Sequence, residues 1–328
     1  MRSRFSVIAL TLVSASFGGR ALAVDGSMLN LLMPDAKFVS GVDVERTRHS
    51  PFGQYFLKQM TGQGSGLRRF VEMTGVDPRR DVFEVVMASS ADGAASALSV
   101  GVGSMVIVRG SFNPSKLMEL AAAHGSSATS YNGTQVFQTG QGVESAWVGF
   151  LGNLMVAGPE GGVKSAIDRY RGAKKGDPLL VARIQSASSK HDAWILTTLS
   201  PAAFAGSLSS NPNITGAMAG DLVQGIESVT AGMKFGANVI MSGEAMTRSD
   251  KDASALVDVL KFFASMPQSN GAKSGPMGLL DSVQMTAAGR TVKFSLTTPE
   301  QEFEKLFGSG LDRVKSQGQG DRRFTRGD

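Results

Sequence analysis

The chain has 328 residues, of which 42% are hydrophobic and 19% are charged, and its formal net charge is +5. This length and apolar content allow two ordinary folded domains and exclude a disordered or collagen-like chain. Because the sequence contains no cysteine, disulfide cross-links, zinc ribbons and thiol catalysis are excluded as well.

The N-terminal segment, 1–23, has the three parts of a secretory signal peptide. Arg2 and Arg4 precede an apolar segment, and 21–23 supply the small residues of a cleavage site. The apolar segment is about 13 residues long, whereas a membrane-spanning helix needs about 20. We therefore expect cleavage after Ala23, rather than an uncleaved anchor, and a periplasmic or secreted mature protein. No later stretch of sequence is long and apolar enough to be expected to span a membrane.

Strand-like and helical segments alternate after the signal peptide, and their order repeats. The first copy starts with the strand-like run KFVSGVDV and continues through helical segments to the strand candidates FEVVMASS and SMVIVRGSF. A helix follows from near Pro114. Two further strand candidates, around YNGTQVFQ and SAWVGFLGNLMVAG, lead to a helix from near Pro159.

The helix that follows SMVIVRGSF has clear boundary signals. Asn113 is the expected N-cap and Pro114 the first helical residue, where a missing N–H costs little. Leu117, Leu120 and Ala121 fall at helical spacing and are predicted to form a buried stripe. We interpret this segment as a structural joint of the fold.

The second copy shows the same order of elements. The strand-like run WILTTL precedes the strand candidates SVTAGMKF and ANVIMSGEAM, a helix from near Lys251, two closing strands, and a helix from near Pro299. The interval from Pro114 to Lys251 is nearly equal to the interval from Pro159 to Pro299, so corresponding helices of the two copies are offset by almost the same length of chain. This constant offset favours an internal duplication.

These patterns predict an α+β protein with two tandem similar domains, residues 24–175 and 176–314. Each domain is expected to be a mainly antiparallel sheet with helices packed on one face, in β-helices-ββ-α-ββ-α order, because hairpins make neighbouring strands antiparallel. Residues 1–23 are the predicted signal peptide. Residues 315–328 are rich in glycine and basic, and we expect them to form a disordered tail.

The positive charge is concentrated at the two ends of the chain. Arg2, Arg4 and Arg20 lie in the predicted signal peptide, and the tail has a net charge of +2, so the remaining body is near neutral. We therefore expect no nucleic-acid partner. For the basic tail, a weak contact with anionic surfaces is an alternative to having no specific role.

Three carboxylates lie close together in the stretch MTGVDPRRDVFEVVM. Asp77, Asp81 and Glu84 form a candidate polar cluster, because paired carboxylates can bind a metal ion or act as acid and base. Arg79 and Arg80 lie between them, and an Asp-Pro pair commonly begins a turn. A self-paired surface turn is the interpretation we favour.

A short glycine-rich stretch is a candidate anion-binding site. Gly64, Ser65 and Gly66, followed by Arg68 and Arg69, resemble a loop that cradles a phosphate at the start of a helix. The stretch lacks the Lys-Ser/Thr element of a nucleotide-binding loop. A flexible linker is the alternative.

We find none of the common nucleophile, zinc-protease, nucleotide-binding or EF-hand motifs. The three histidines, His49, His124 and His191, lie far apart in the sequence. His49 and His191 hold nearly corresponding places in the two copies, which permits a shared site between domains, but surface roles are the favoured interpretation. We predict no catalytic residue, no metal ligand, no cofactor-binding residue and no cofactor.

Several segments resemble a known kind of protein. They are LLMPDAKFVSGVDVERTRHSPFGQYF, TGVDPRRDVFEVV, VIVRGSFNPSKL and LMVAGPEGGVKSAIDRY. These segments resemble exported bacterial proteins of the domain-of-unknown-function type. The resemblance covers most of the mature chain, and its motifs are turns and caps. It implies export and no established activity, so no catalytic residue is carried over.

Our leading interpretation is an exported, non-enzymatic binding or assembly protein of the bacterial cell envelope, with an envelope protein as partner. The alternative is a carrier of a small apolar or lipid-like ligand in an inter-sheet or inter-domain cavity, which predicts a continuous apolar cavity. A carboxylate-based hydrolase is a third hypothesis. It predicts that two or more of Asp77, Asp81, Glu84, His49 and His191 converge within hydrogen-bonding distance.

Overall fold

The structure is a computed structural model, and it describes residues 23–55, 71–72, 74–90, 104–139, 146–172, 177–200, 220–265 and 283–305. Residues 1–22 of the predicted signal peptide, the glycine-rich stretch at 64–69 and the predicted tail at 315–328 lie outside these ranges. Within these ranges, no helix has the length and apolar character that crossing a membrane requires.

Twenty helices and strands are bounded within the described ranges. The helices are α1 (Gly26–Leu29), α2 (Val44–His49), α3 (Pro78–Asp81), α4 (Pro114–Ala123), α5 (Glu160–Tyr170), α6 (Pro178–Lys190), α7 (Asp221–Gln224) and α8 (Asp250–Ser265). The strands are β1 (Phe38–Asp43), β2 (Val82–Ser89), β3 (Ser104–Gly110), β4 (Ala128–Tyr131), β5 (Thr134–Thr139), β6 (Ala146–Leu151), β7 (Leu154–Gly158), β8 (Ala193–Thr197), β9 (Ile226–Lys234), β10 (Asn238–Thr247), β11 (Gln284–Ala288) and β12 (Thr291–Pro299).

These strands form one antiparallel sheet, in the order β11-β12-β10-β9-β8-β1-β2-β3-β7-β6-β5-β4. At its centre, β1 pairs with β8, from Phe38 opposite Thr197 to Val42 opposite Ala193. The predicted α+β class with an antiparallel sheet is therefore confirmed. The strands of the two predicted units lie in a single shared sheet, because β1 and β8 pair with each other.

On the two sides of the β1–β8 pair, the strands follow the same order. The series β1-β2-β3-β7-β6 on one side matches β8-β9-β10-β12-β11 on the other. We call β1–β7 with their helices the first half, and β8–β12 with theirs the second half. Helix α4 follows β3 and helix α8 follows β10, so the two helices hold corresponding places. Among the described strands, the hairpin of β4 and β5 has no counterpart in the second half.

The first half has four strands after α4, where the repeat pattern predicted two. Each of the two predicted strand segments corresponds to a hairpin of two strands in the structure, β4 with β5 and β6 with β7. Asn132 and Gly133, between β4 and β5, have φ angles of 46° and 71°, the positive values that a two-residue type I′ turn requires. Gly152, with φ of 66°, begins the turn between β6 and β7. These turns explain why the predicted unit order is wrong for this half.

The main core lies on one face of the sheet, which we call the inner face. Val39 of β1 and Val86 of β2 point to this face and are fully buried. Helices α1 and α5 cover it in the first half and α6 covers it over β8 and β9 of the second half, with Met28, Ile167 and Ile184 in the same core cluster. Helix α6 was not among the predicted elements. It packs into this core although it lies beyond residue 175, where the first unit was predicted to end.

The opposite face of the sheet, which we call the outer face, carries helices as well. In the first half α4 lies over Val85 and Val108, which are neighbours on β2 and β3. In the second half α8 packs on the same face, since Leu256 and Val257 lie in one buried cluster with Val292. The register of the strands places Val292 on the outer face. Helices therefore lie against both faces, whereas one face was predicted.

On the inner face of the second half, Trp194 and Leu196 of β8 are buried in the main core, whereas β10 and β12 carry exposed charged residues. Glu244 of β10 and Lys293 of β12 lie opposite each other on it, and both are exposed. Among the described residues, the second half therefore contributes β8 to the main core and has a separate buried cluster on the outer face, under α8.

Candidate functional site

A cavity of about 790 Å³ lies between α4 and the outer face of the first half. Its floor includes Val42, Val85, Val108 and Met155, from four neighbouring strands. Fifteen of its 19 described lining residues are apolar, and the other four are Thr74, His124, Ser126 and Thr139. None of the described lining residues is a lysine, arginine, aspartate or glutamate. The cavity therefore offers an apolar space with a small number of uncharged polar groups.

The strands of the first half supply this cavity because they are apolar on both faces. In β2, Val86 is buried on the inner face while its neighbour Val85 is half-buried on the outer face. In β7, Val156 is buried on the inner face and its neighbour Met155 is half-buried on the outer face. Strands that are apolar on both faces are typical of sheets covered on both sides. Here α4 lies over the outer face but leaves a space between itself and the sheet.

Helix α4 begins as the sequence predicts. The side chain of Asn113 accepts a hydrogen bond from the backbone N–H of Lys116 at 3.1 Å, and Pro114 occupies the first turn. The predicted burial of Leu117, Leu120 and Ala121 is wrong, because they are half-buried and line the cavity. No residue of α4 is buried.

Within the described residues, two further cavities differ in character. One of about 510 Å³ is lined in part by Gly133, Tyr170 and Arg171, and one of about 410 Å³ by Asp35 and Arg169 among others. Both include charged side chains in their walls. The larger, apolar cavity under α4 is the better candidate for a ligand, because ligand sites are mostly apolar with a few polar groups.

Asp77 and Asp81 come together, but in a structural role. Asp77 is the N-cap of α3 and binds Arg79 at 2.7 Å, while Asp81 accepts the backbone N–H of Asp77 at 2.8 Å and binds Arg80 at 2.7 Å. Their hydrogen bonds with Arg79 and Arg80 lower the pKa of Asp77 and Asp81 respectively, with burial acting in the opposite direction. This geometry matches the self-paired turn that the sequence favoured.

Glu84 does not join the two aspartates. A bulge in β2 at Phe83 sets Glu84 opposite Arg109 of β3, with Nε and Oε2 3.2 Å apart. Burial raises the pKa of Glu84, and the nearby Arg109 opposes this shift. The carboxylates of the predicted cluster are therefore each paired with a different arginine. Among the described residues, no group of three or more histidines, aspartates and glutamates is arranged to hold a metal ion.

The two histidines that were considered as a shared site lie in different settings. His49 is exposed at the end of α2. His191 is buried, and its Nδ1 donates to the carbonyl of Ala187 while its Nε2 is 2.9 Å from the hydroxyl of Ser242. Burial lowers the pKa of His191. This histidine joins α6 to β10, a connection within the framework of the protein.

The glycine-rich candidate, Gly64, Ser65, Gly66, Arg68 and Arg69, lies outside the described residues. It stays a prediction. The position of the cavity under α4 was not predicted from the sequence, although the signal was present, since β2 and β7 are apolar on both faces. The expected place for a cavity also needs correction. Because the described strands form one sheet and the cavity lies within the first half, the cavity is neither inter-sheet nor inter-domain.

Comparisons with known proteins identify no family. No family model matches the chain. No curated protein sequence matches it either. Among solved structures, crystal form IV of TP0453 is similar over 84% of this chain and 94% of that chain, with 7% sequence identity and a TM-score of 0.46. A likeness this weak carries no argument about function.

Proposed function

We propose that the protein binds a ligand with a long apolar chain in the cavity between α4 and the outer face. The observation that carries this proposal is an apolar cavity of about 790 Å³ whose described lining residues are all uncharged. Its volume lies within the range of roughly 300–1,000 Å³ typical of small-molecule sites. Each methylene group that leaves water for such a site contributes about 0.8 kcal/mol.

The cavity supports a carrier more than an assembly protein. An assembly surface would present a contiguous apolar patch. The large hydrophobic side chains that are exposed in the described part of the chain are scattered over several elements: Tyr170, Leu179, Ile195, Ile240, Met246 and Val259. Single exposed hydrophobic residues are normal on any surface. We further propose that the carrier acts outside the cytoplasm, on the basis of the predicted signal peptide.

The test is ligand binding with and without a blocked cavity. The mature chain is titrated with the neutral fluorescent probe N-phenylnaphthylamine, and saturated alkyl chains of increasing length are used to displace it. We expect each added methylene to tighten binding by roughly fourfold until the cavity is full, which corresponds to about 0.8 kcal/mol. Ala121→Trp, which projects an indole into the cavity, should weaken binding at least about tenfold.

A matched control is available on the same helix. Ala122 is exposed and does not line the cavity, so Ala122→Trp adds the same side chain outside the site. We expect this variant to bind the probe as the unmodified protein does. Equal binding by the two tryptophan variants, or no binding by the unmodified protein, would show that the cavity is not the ligand site.

A further inference from the structure

The polar groups of the cavity are concentrated where α4 ends. Strand β3 runs toward Gly110, and α4 then runs back over the sheet from Pro114 to its C-cap, His124. Beyond this cap, the carbonyl of Ser127 accepts a hydrogen bond from the backbone N–H of Gln138 near the end of β5. Thr139, the last residue of β5, therefore lies near the end of α4. His124, Ser126 and Thr139, three of the four polar lining residues, share this end.

Two of these groups act as hydrogen-bond acceptors toward the cavity. The Nδ1 of His124 lies 2.8 Å from the carbonyl oxygen of Leu120. A carbonyl only accepts, so Nδ1 carries the proton, and in the neutral ring Nε2 is then an acceptor. The hydroxyl of Thr139 donates its proton to the carbonyl of Ala146 at 3.2 Å, which leaves its lone pairs available.

The surroundings of these acceptors disfavour an anion. The C-terminal end of a helix carries a partial negative charge, and α4 ends at this point. None of the described lining residues is a lysine or arginine that could pair with a carboxylate. A hydroxyl group, by contrast, can donate to Nε2 of His124 or to the oxygen of Thr139.

We propose that the ligand is a neutral amphiphile with a hydroxyl-bearing head, of the monoacylglycerol or long-chain alcohol class, and that this head donates a hydrogen bond to His124. This inference rests on the proposed function, since it assumes that the apolar chain occupies the cavity. The chain then extends from His124 under α4 toward Val76, Pro78 and Val82.

The experiment compares two ligands with the same chain. Monopalmitoylglycerol and palmitate are used to displace N-phenylnaphthylamine at about pH 8, where histidine side chains are generally neutral and carboxylic acids are ionised. We expect monopalmitoylglycerol to bind roughly tenfold more tightly, because its hydroxyl groups pair with the acceptors while the carboxylate is left without a donor.

His124→Phe keeps a ring of similar size and removes the acceptor. We expect it to weaken the binding of monopalmitoylglycerol by roughly two- to tenfold and to leave palmitate binding almost unchanged, so that the preference shrinks. The control is His49→Phe, the same substitution at an exposed histidine that does not line the cavity. It should change neither affinity.

The outcomes separate this inference from the proposed function. If both lipids displace the probe with equal affinity, or palmitate binds more tightly, the assigned head group is wrong while the apolar cavity remains a ligand site. If His124→Phe keeps the full preference, His124 is not the contact. If neither the probe nor either lipid binds the unmodified protein, the proposed function itself fails.

Discussion

Helices α4 and α8 hold corresponding places in the two halves of the sheet, yet only α8 is packed as part of a core. In α8, Ala253, Leu256 and Val257 are between 0% and 5% exposed, whereas no residue of α4 is buried. The difference follows from the inner face. The first half has its core there, under α1 and α5, and α6 extends this core over β8 and β9. The buried cluster of β11 and β12 lies under α8, so α4 is the helix that can leave a space without loss of a core.

The largest expected effect compares one leucine in each helix. Leu256→Ala removes a side chain that is 3% exposed and belongs to the same cluster as Met285 and Val292, so it should lower the free energy of unfolding by about 2–5 kcal/mol. Leu120→Ala removes a half-buried side chain that faces the cavity, and should lower it by about 1 kcal/mol or less. Urea denaturation measures both.

Equal losses from the two substitutions would contradict the comparison, because they would mean that α4 is packed as tightly as α8. Leu120→Ala has a second use, since it enlarges the cavity. It should alter the affinity for alkyl chains, while Leu256→Ala should leave the affinity of the folded protein unchanged.

The sequence predicted local structure well where a single residue type decides it. Asn113 and Pro114 begin a helix as expected, and Asp77 begins the predicted self-paired turn, because capping and turn formation depend on side chains close by in the chain. It failed where the outcome depends on distant packing. An apolar stripe such as Leu117 and Leu120 looks the same whether the helix lies against a sheet or above a cavity. Pairing of β1 with β8 was not predictable either, because it joins strands that most of the first half separates along the chain.

A smaller effect is expected at the helix caps. Asn113 caps α4, and the hydroxyl of Ser249 accepts the backbone N–H of Asp252 at the start of α8. Each substitution by alanine should cost its helix about 1 kcal/mol. Because α8 is part of a core, Ser249→Ala should lower the free energy of global unfolding. Asn113→Ala should mainly speed amide hydrogen exchange within α4, where opening exposes little buried surface.

Hydrogen exchange read segment by segment, together with urea denaturation, distinguishes these two results. An Asn113→Ala protein that loses as much global stability as Ser249→Ala, with no local change in α4, would show that α4 opens only with the whole protein. The cavity under α4 would then be a rigid space, and ligands would have to enter without movement of this helix.

The smallest effect concerns the inner face, where Glu84 of the first half is buried and Glu244 of the second half is exposed. Burial raises the pKa of Glu84 above its ordinary value, and Arg109 opposes the shift, so the net change is modest. With the folded pKa raised, the ionised carboxylate is penalised in the folded state. As pH falls through the folded pKa toward the ordinary value, folded protein binds the proton first, and Glu84 contributes increasing stability.

Glu84→Gln removes this contribution, so the free energy of unfolding of the unmodified protein minus that of the variant should rise as pH is lowered from about 7 to about 4. The two free energies are compared as a difference because Asp77 and Asp81, whose pKa values are lowered, contribute less stability to both proteins as pH falls. A difference that falls with decreasing pH would mean that Arg109 outweighs burial at Glu84.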